Sequence, residues 1–220
     1  MLFHKYKIWF IGIPKTGTTS IHHLWRNLTD RDHDHYRVYE TYESHDRELL
    51  DSYYQFTIVR NPYDRITSAC FQHMRDENGC PIKDVNEMIA HLKGMSEDEL
   101  HEFNESTTPA YLYLLDKPKA QGGEVSVKKM WRFESLQEEY EAFAEVYNQT
   151  SAIKMPAELS LHKNKSVGRK EWFEILNRES IKTINKLYAK DFAATGYKML
   201  NPEKYTRAEL VELDDWWKHL

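Results

Sequence analysis

At 220 residues, with 40% hydrophobic and 30% charged residues, the chain is long enough to bury a two- or three-layer core as a single domain over 1–220 without staples. Thirty basic against thirty-five acidic residues leave a formal net charge of -5, which argues against general nucleic-acid or polyanion binding, so any anion site must be local. Mean hydropathy is -0.75, and nowhere do the roughly 18 apolar residues of a membrane span run together.

The first residues, Met1 to Phe10, carry Lys5 and Lys7 in a short apolar stretch that lacks the h-region and cleavage site of a signal peptide. The two cysteines, Cys70 and Cys80, form no CxxC pair and have no zinc spacing. A reducing, cytoplasmic setting is the expectation. The four sequons at Asn27, Asn104, Asn148 and Asn164 matter only in a secreted chain and read as incidental.

Lys7 to Ile11 is an apolar run stopped by Gly12 and reads as a buried strand, while Thr18 to Leu28 has helical spacing through Ile21, Leu24 and Leu28. Tyr36 to Tyr39 reads as a second strand, and Gln55 to Val59 as a clearer one ended by Arg60-Asn61-Pro62. Proline suits a first helical turn, so a helix from Pro62 to about Arg75 follows directly. A helical insert at about 78–115 is expected from the patterns Val85 to Leu92, Glu97 to Phe103 and Pro109 to Leu115. Val125 to Phe133 is a further strand candidate; Leu136 to Tyr147, Glu179 to Phe192 and Thr206 to Leu220 are amphipathic helices. Strands alternating with helices predict an α/β fold, three-layered, with a mostly parallel sheet flanked by helices.

Gly12-Ile13-Pro14-Lys15-Thr16-Gly17-Thr18-Thr19 lies between a strand and a helix, where backbone amides and the helix dipole favour an anion. A Walker A loop carries its lysine directly after the second glycine. Here Thr18 holds that position and the lysine, Lys15, precedes Gly17. That displacement weighs against a P-loop nucleotide kinase or NTPase.

Pro14-Lys15-Thr16-Gly17-Thr18-Thr19-Ser20 resembles the 5′-phosphosulfate loop of the sulfotransferase family. The resemblance implies a P-loop-like fold, PAPS (3′-phosphoadenosine 5′-phosphosulfate) as donor and 3′,5′-ADP as product. It implies that Lys15 and the loop hydroxyls hold the 5′-phosphate and sulfuryl group. Sulfuryl transfer needs in-line positioning and relief of charge on the leaving oxygen, which a lysine supplies without a metal.

Phe56 to Ser68 resembles the second family signature, a strand ending in Arg-Asn/Asp-Pro with a serine eight residues after the arginine. In the family this pair clasps the 3′-phosphate, so Arg60 and Ser68 carry that role by resemblance. Arg132-Phe133-Glu134-Ser135-Leu136 resembles a largely structural family segment, and Tyr188, Asp191 and Gly196-Tyr197 match its usual C-terminal ending. Leu161 to Arg169 resembles the late loop that closes over the nucleotide. Several carbohydrate-type members have Lys-Gly-Arg where this chain has Val167-Gly168-Arg169, which leaves Asn164, Lys165, Ser166 and Arg169 as the expected contacts, with a solvated basic loop as the alternative.

An acceptor hydroxyl does not ionise at neutral pH, so a positioned base is expected, and histidine is the first suspect among eleven. His22 and His23 share one helix, His4 and His219 lie near the ends, and His33 and His35 sit in a charged loop that reads as solvated. His45 lies between the expected second strand and the Arg60 strand, where carbohydrate sulfotransferases with a histidine base place it, and Glu40 and Glu43 are the alternatives. The insert's Asp84, Glu87, Glu97, Asp98, Glu99, Glu102 and Glu105 argue against a heavily sulfated acceptor and for a neutral sugar, lipid-linked glycan or small alcohol. A nucleotide-binding module without catalysis is the remaining alternative, and it turns on the base.

Overall fold

In the computed structural model, residues 1–25, 35–72, 84–156 and 170–204 are described. Four strands form one sheet in the order β1 (Leu2–Phe3), β2 (Ile8–Ile11), β3 (Tyr54–Val59) and β4 (Lys129–Arg132). β2, β3 and β4 run parallel, with Ile8 opposite Tyr54, Ile11 opposite Thr57 and Val59 opposite Arg132. β1 is the antiparallel edge, pairing Phe3 with Ile8 after a tight turn through Lys7, whose φ is 51°. The fold is therefore α/β with a mixed, mostly parallel sheet flanked by helices.

The chain forms two compact units, Met1–Arg60 with Leu112–Asn164, and Asn61–Tyr111 with Lys165–Leu220. The sheet belongs to the first. β2 and β3, its central strands, are buried on both sides because both faces are covered. On one face Ile8, Phe10, Phe56, Ile58 and Trp131 pack with Ile21 and Trp25 of α1 (Thr18–Trp25). A later helix supplies Tyr140, Phe143 and Ala144 to the same cluster. Each large side chain buried there contributes about 1.5–3 kcal/mol. On the opposite face the Trp9 ring stands edge-on to Tyr42, 5.1 Å between centroids. Tyr42 belongs to α2 (Val38–Ser44), which is followed by α3 (Arg47–Asp51).

α2 corrects the strand expected over Tyr36 to Tyr39. Val38, Thr41 and Tyr42 recur at helical spacing, Val38 and Thr41 are buried, and the Glu40 carboxylate accepts the Arg37 N–H as a cap at 2.8 Å. Four residues rich in tyrosine and valine read equally well as strand. The direction of the segment follows from three contacts. His35 meets Gly12 beyond the end of β2, Tyr42 meets Trp9 in its middle, and His45 lies 6.4 Å from His4 before its start. α2 thus runs antiparallel to β2.

The strand expected over Val125 to Phe133 is β4 alone, preceded by a single antiparallel bridge between Leu115 and Val125. Pro109 to Leu115, expected as a helix, is a tight 3₁₀ stretch over Ala110–Leu114 that ends in that bridge.

The second unit holds α4 (Pro62–Gln72), α5 (Val85–Leu92) and α6 (Glu97–Phe103). After α7 (Leu136–Thr150), which is the helix of the first unit that carries Tyr140 and Phe143, it also receives α8 (Trp172–Ile175), α9 (Arg178–Leu187) and α10 (Ala189–Thr195). The helix expected from Glu179 to Phe192 breaks at Tyr188, whose hydroxyl donates to the Thr107 carbonyl at 2.8 Å. Asp191 accepts the backbone N–H groups of Ala110 and Tyr111 at 2.8 and 3.0 Å and faces the Arg65 guanidinium at 3.3 Å. Arg65 also donates to the Ser106 and Thr108 carbonyls. Both charges are at most 1% exposed, so this pair is the polar centre of the unit. The helix expected over Thr206 to Leu220 lies outside the described residues.

Candidate active site

The loop after β2 is built by bonds that stop the strand and turn the chain. Thr57 of β3 donates its hydroxyl to the Ile11 carbonyl at 2.8 Å, just where the ladder ends. Ile13 and Pro14 are buried, and Thr16 donates its hydroxyl to the Ile13 carbonyl at 2.9 Å. The single proton of that hydroxyl is thereby used inside the loop, so Thr16 braces the turn, whereas its side chain was expected at the anion. Thr18 and Ser20 are buried on the first turn of α1 and Thr19 is exposed.

Two residues of the loop lie in left-handed backbone conformation, Lys15 at φ 68° and Gly17 at φ 89°. Alternation of left- and right-handed residues turns successive N–H groups to one side and makes a concave anion-binding nest at a helix N-terminus. Gly17 is required twice over. Its φ disfavours any side chain, and a Cβ there would stand 2.9 Å from the Phe133 ring and 3.4 Å from Leu136.

Arg60, which directly follows β3, turns back to the loop. Its Nη1 donates to the Lys15 carbonyl at 2.9 Å, and its guanidinium carbon lies 4.3 Å from the centre of the Phe133 ring. Phe133 thus supports the loop under Gly17 and the guanidinium together, a cation–π contact that also fixes the plane of the arginine. The segment after β4, expected to be structural, positions the site through this ring. The sequence placed Phe133 only in a segment that resembles a structural family motif; its contacts with Gly17 and Arg60 depend on β4 lying beside β3.

Ser68 lies in α4 and is 9% exposed. Asn164, Lys165, Ser166 and Arg169 lie outside the described residues.

His45 is not brought to Lys15. It caps the end of α2, its Nδ1 3.2 Å from the Thr41 carbonyl and 2.9 Å from the Ser44 hydroxyl, and it neighbours His4, which itself pairs with the Tyr53 hydroxyl at 2.7 Å. His4 and Tyr53 precede β2 and β3, so His45 sits at the edge of the sheet where the parallel strands begin. Lys15 and Arg60 sit where they end. The Tyr42 phenol offers no base between them, since burial and the hydrogen bond to Asp51 push it up to about 12. Glu40 caps α2 and Glu43 is exposed. At the loop itself stands a histidine that had read as solvated: the half-buried His35 places Nδ1 3.0 Å from the Gly12 carbonyl.

The acidic residues of the 84–111 stretch have local work. Asp84 accepts the Asn86 N–H at the start of α5, Ser96 and Glu99 form a capping box on α6, and Glu97 accepts the Tyr111 hydroxyl at 2.7 Å. Carboxylates at helix starts complement the dipole there. Among the described residues no group of three His, Cys, Asp or Glu side chains is arranged to hold a metal ion, and no helix is long and apolar enough to cross a membrane.

Comparison with known proteins adds one finding. The model of the sulfotransferase family matches residues 1–198, from β1 past the end of α10. No curated protein and no solved structure matches the chain. With a nest and displaced lysine after β2, an arginine after β3 tied to that loop, and nine-tenths of its length matched, the chain belongs to the sulfotransferase family.

Proposed function

We propose that this transferase moves the sulfuryl group of PAPS to an acceptor hydroxyl, with Lys15 at the leaving oxygen and Arg60 and Ser68 at the 3′-phosphate. The observation that carries this reading is the bond from Arg60 to the Lys15 carbonyl. It makes the loop and the arginine one rigid piece, so a loop that favours a phosphosulfate and a guanidinium that favours a second phosphate keep a fixed spacing. Arginine carries five donors in a planar fork, which lets it brace the loop and meet a phosphate at once.

The residues suit that donor. The segment from Gly12 to Ser20 contains no carboxylate and one cation, and the nest presents backbone N–H groups to an anion. PAPS, when bound, supplies an activated sulfuryl group. Lys15 and the first amides of α1 then neutralise charge growing on the 5′-phosphate oxygen, stabilisation set in place before the reaction. The late loop with Asn164, Lys165, Ser166 and Arg169 is assigned to the nucleotide by resemblance alone.

For the acceptor we favour the hydroxyl of a neutral sugar, a glycoconjugate or a small alcohol. The acidity of the 84–111 stretch supports this less than its composition implied, because several of its carboxylates cap helices.

The test is calorimetric titration with 3′,5′-ADP and, separately, with ATP and Mg²⁺. Tighter binding of 3′,5′-ADP is expected. A preference for ATP would overturn the donor assignment, an outcome that Thr18 in place of the Walker lysine argues against.

A further inference from the structure

We propose that Phe133 is a positioning residue that sets donor specificity: its ring holds Arg60 in the orientation that tells a nucleotide with a 3′-phosphate from one without. The proposal rests on the sulfuryl-transfer reading and deepens it by naming the residue through which Arg60 discriminates.

Strand register brings the two side chains together. Val59 and Arg132 are opposite each other in the parallel ladder of β3 and β4. Arg60 and Phe133 each stand one residue beyond that pair, so they leave the sheet side by side. Phe133 is itself fixed at backbone and side chain. Its carbonyl accepts the Leu136 N–H in the turn that opens α7, and its ring packs on the rim of the apolar cluster. Ring atoms Cε2 and Cδ2 stand 2.9 and 3.0 Å from where a Cβ of Gly17 would lie. The guanidinium carbon of Arg60 lies over the same ring, 4.3 Å from its centre.

The ring adds what the hydrogen bond lacks. The bond from Arg60 Nη1 to the Lys15 carbonyl fixes one point of the guanidinium. Carbonyl oxygens accept over a broad range of directions, so one such bond leaves the planar group able to turn. Contact with the ring face removes that freedom, because a cation is drawn to the negative face of the quadrupole and a guanidinium stacks on it. Arginine recognises a phosphate through parallel N–H donors in one plane, so recognition depends on where that plane points. Orientation before binding also spares the cost of ordering a long side chain when the ligand arrives. The ring thus serves the 3′-phosphate through Arg60 and meets the 5′ side only as a neighbour of Gly17.

The experiment compares the wild type with Phe133→Leu and with a protein carrying pentafluorophenylalanine at position 133, which keeps an aromatic ring there but reverses its quadrupole. Titration calorimetry measures the affinity of each protein for 3′,5′-ADP and for 5′-AMP, which differ only in the 3′-phosphate. The ratio of the two affinities reads discrimination, and the 5′-AMP affinity reads the state of the loop. The expected result is a ratio lower by more than twofold, up to about thirtyfold, in both altered proteins, the reach of a cation–π contact, with 5′-AMP affinity retained in the fluorinated one. The fluorinated ring keeps the packing, so it decides the matter where leucine disturbs the fold. A ratio within twofold of wild type, whether both affinities hold or both fall together, would overturn the proposal, since the ring would then only support the loop. A wild type that binds 5′-AMP as tightly as 3′,5′-ADP would overturn the reading of Arg60 on which the proposal rests.

Discussion

The Arg60 guanidinium bonds the Lys15 carbonyl at 2.9 Å while lying on the face of Phe133 at 4.3 Å. Arg60 ties the loop, and under the proposed function it is also a ligand for the donor. Replacement by lysine keeps the charge but loses the planar fork and the stacking. We expect Arg60→Lys to weaken 3′,5′-ADP binding at least tenfold, nearly as far as Arg60→Ala, with a smaller effect on turnover at saturating donor. Titration calorimetry and steady-state kinetics read the two effects separately. Near wild-type affinity in Arg60→Lys would show that only the charge matters.

Phe133 gives a second, sharper expectation at Gly17. An added methyl meets the Phe133 ring at 2.9 Å and must also adopt φ 89°. A shift of the ring would disturb its contact with Arg60, 4.3 Å away, so the added methyl affects the arginine as well as the loop. Gly17→Ala is expected to lower stability by about 1–3 kcal/mol, the range for overpacking and strained backbone, and to remove nucleotide binding. Chemical denaturation with parallel titration measures both. Gly94 is the control: it has a similar φ, 95°, with no atom within 4 Å of its missing Cβ, so Gly94→Ala should show the backbone cost alone and leave binding intact.

Much of this site could be read from the chain itself, and the part that could not has one physical origin. Strand ends marked by Gly12 and by Arg60-Asn61-Pro62 put Lys15 and Arg60 at one sheet edge, and α5 and α6 begin at Val85 and Glu97 as expected, behind the caps Asp84 and Ser96. The error lay at Tyr36 to Tyr39. A strand there, parallel to its neighbours, would run the same way as β2, while the place expected for His45 came from the family resemblance. A helix in the same place runs the other way, so the histidine before it reaches the loop and the one after it does not. Periodicity over four residues cannot separate these cases, and one wrong element type reversed the direction of a whole segment. Phe133 was legible only as part of a structural segment for a different reason: contacts between segments far apart in the chain leave no trace in local spacing.

The buried pair of Arg65 and Asp191 should be among the most sensitive points of the second unit. Asp191→Asn is close in shape, yet its amide would turn an NH₂ toward one of the two N–H groups of Ala110 and Tyr111 that the carboxylate now accepts. It would also leave Arg65 charged at 1% exposure. A loss of about 3–5 kcal/mol is expected, as for other broken buried pairs. Arg65→Met should cost a comparable amount, and the double variant less than the sum, because the second change removes a group already stranded. Urea denaturation of the four proteins measures the coupling. Additive losses would mean that the pair acts only through its separate backbone bonds.

Lys15 provides the test in which stability and activity move apart. A side chain at φ 68° costs about 1–2 kcal/mol relative to glycine, while glycine gives back about 0.5–1 kcal/mol through the freedom of the unfolded chain. The first effect is at least as large, so Lys15→Gly should be as stable as wild type or more stable, by up to about 1.5 kcal/mol. Lys15→Ala keeps the strained conformation and should gain nothing. Under the proposed function both should lose turnover, because neither carries an ammonium to neutralise the leaving oxygen. Thermal unfolding and 3′,5′-ADP release from PAPS together read this. A clearly less stable Lys15→Gly would show that the lysine's own contacts outweigh the strain of its backbone.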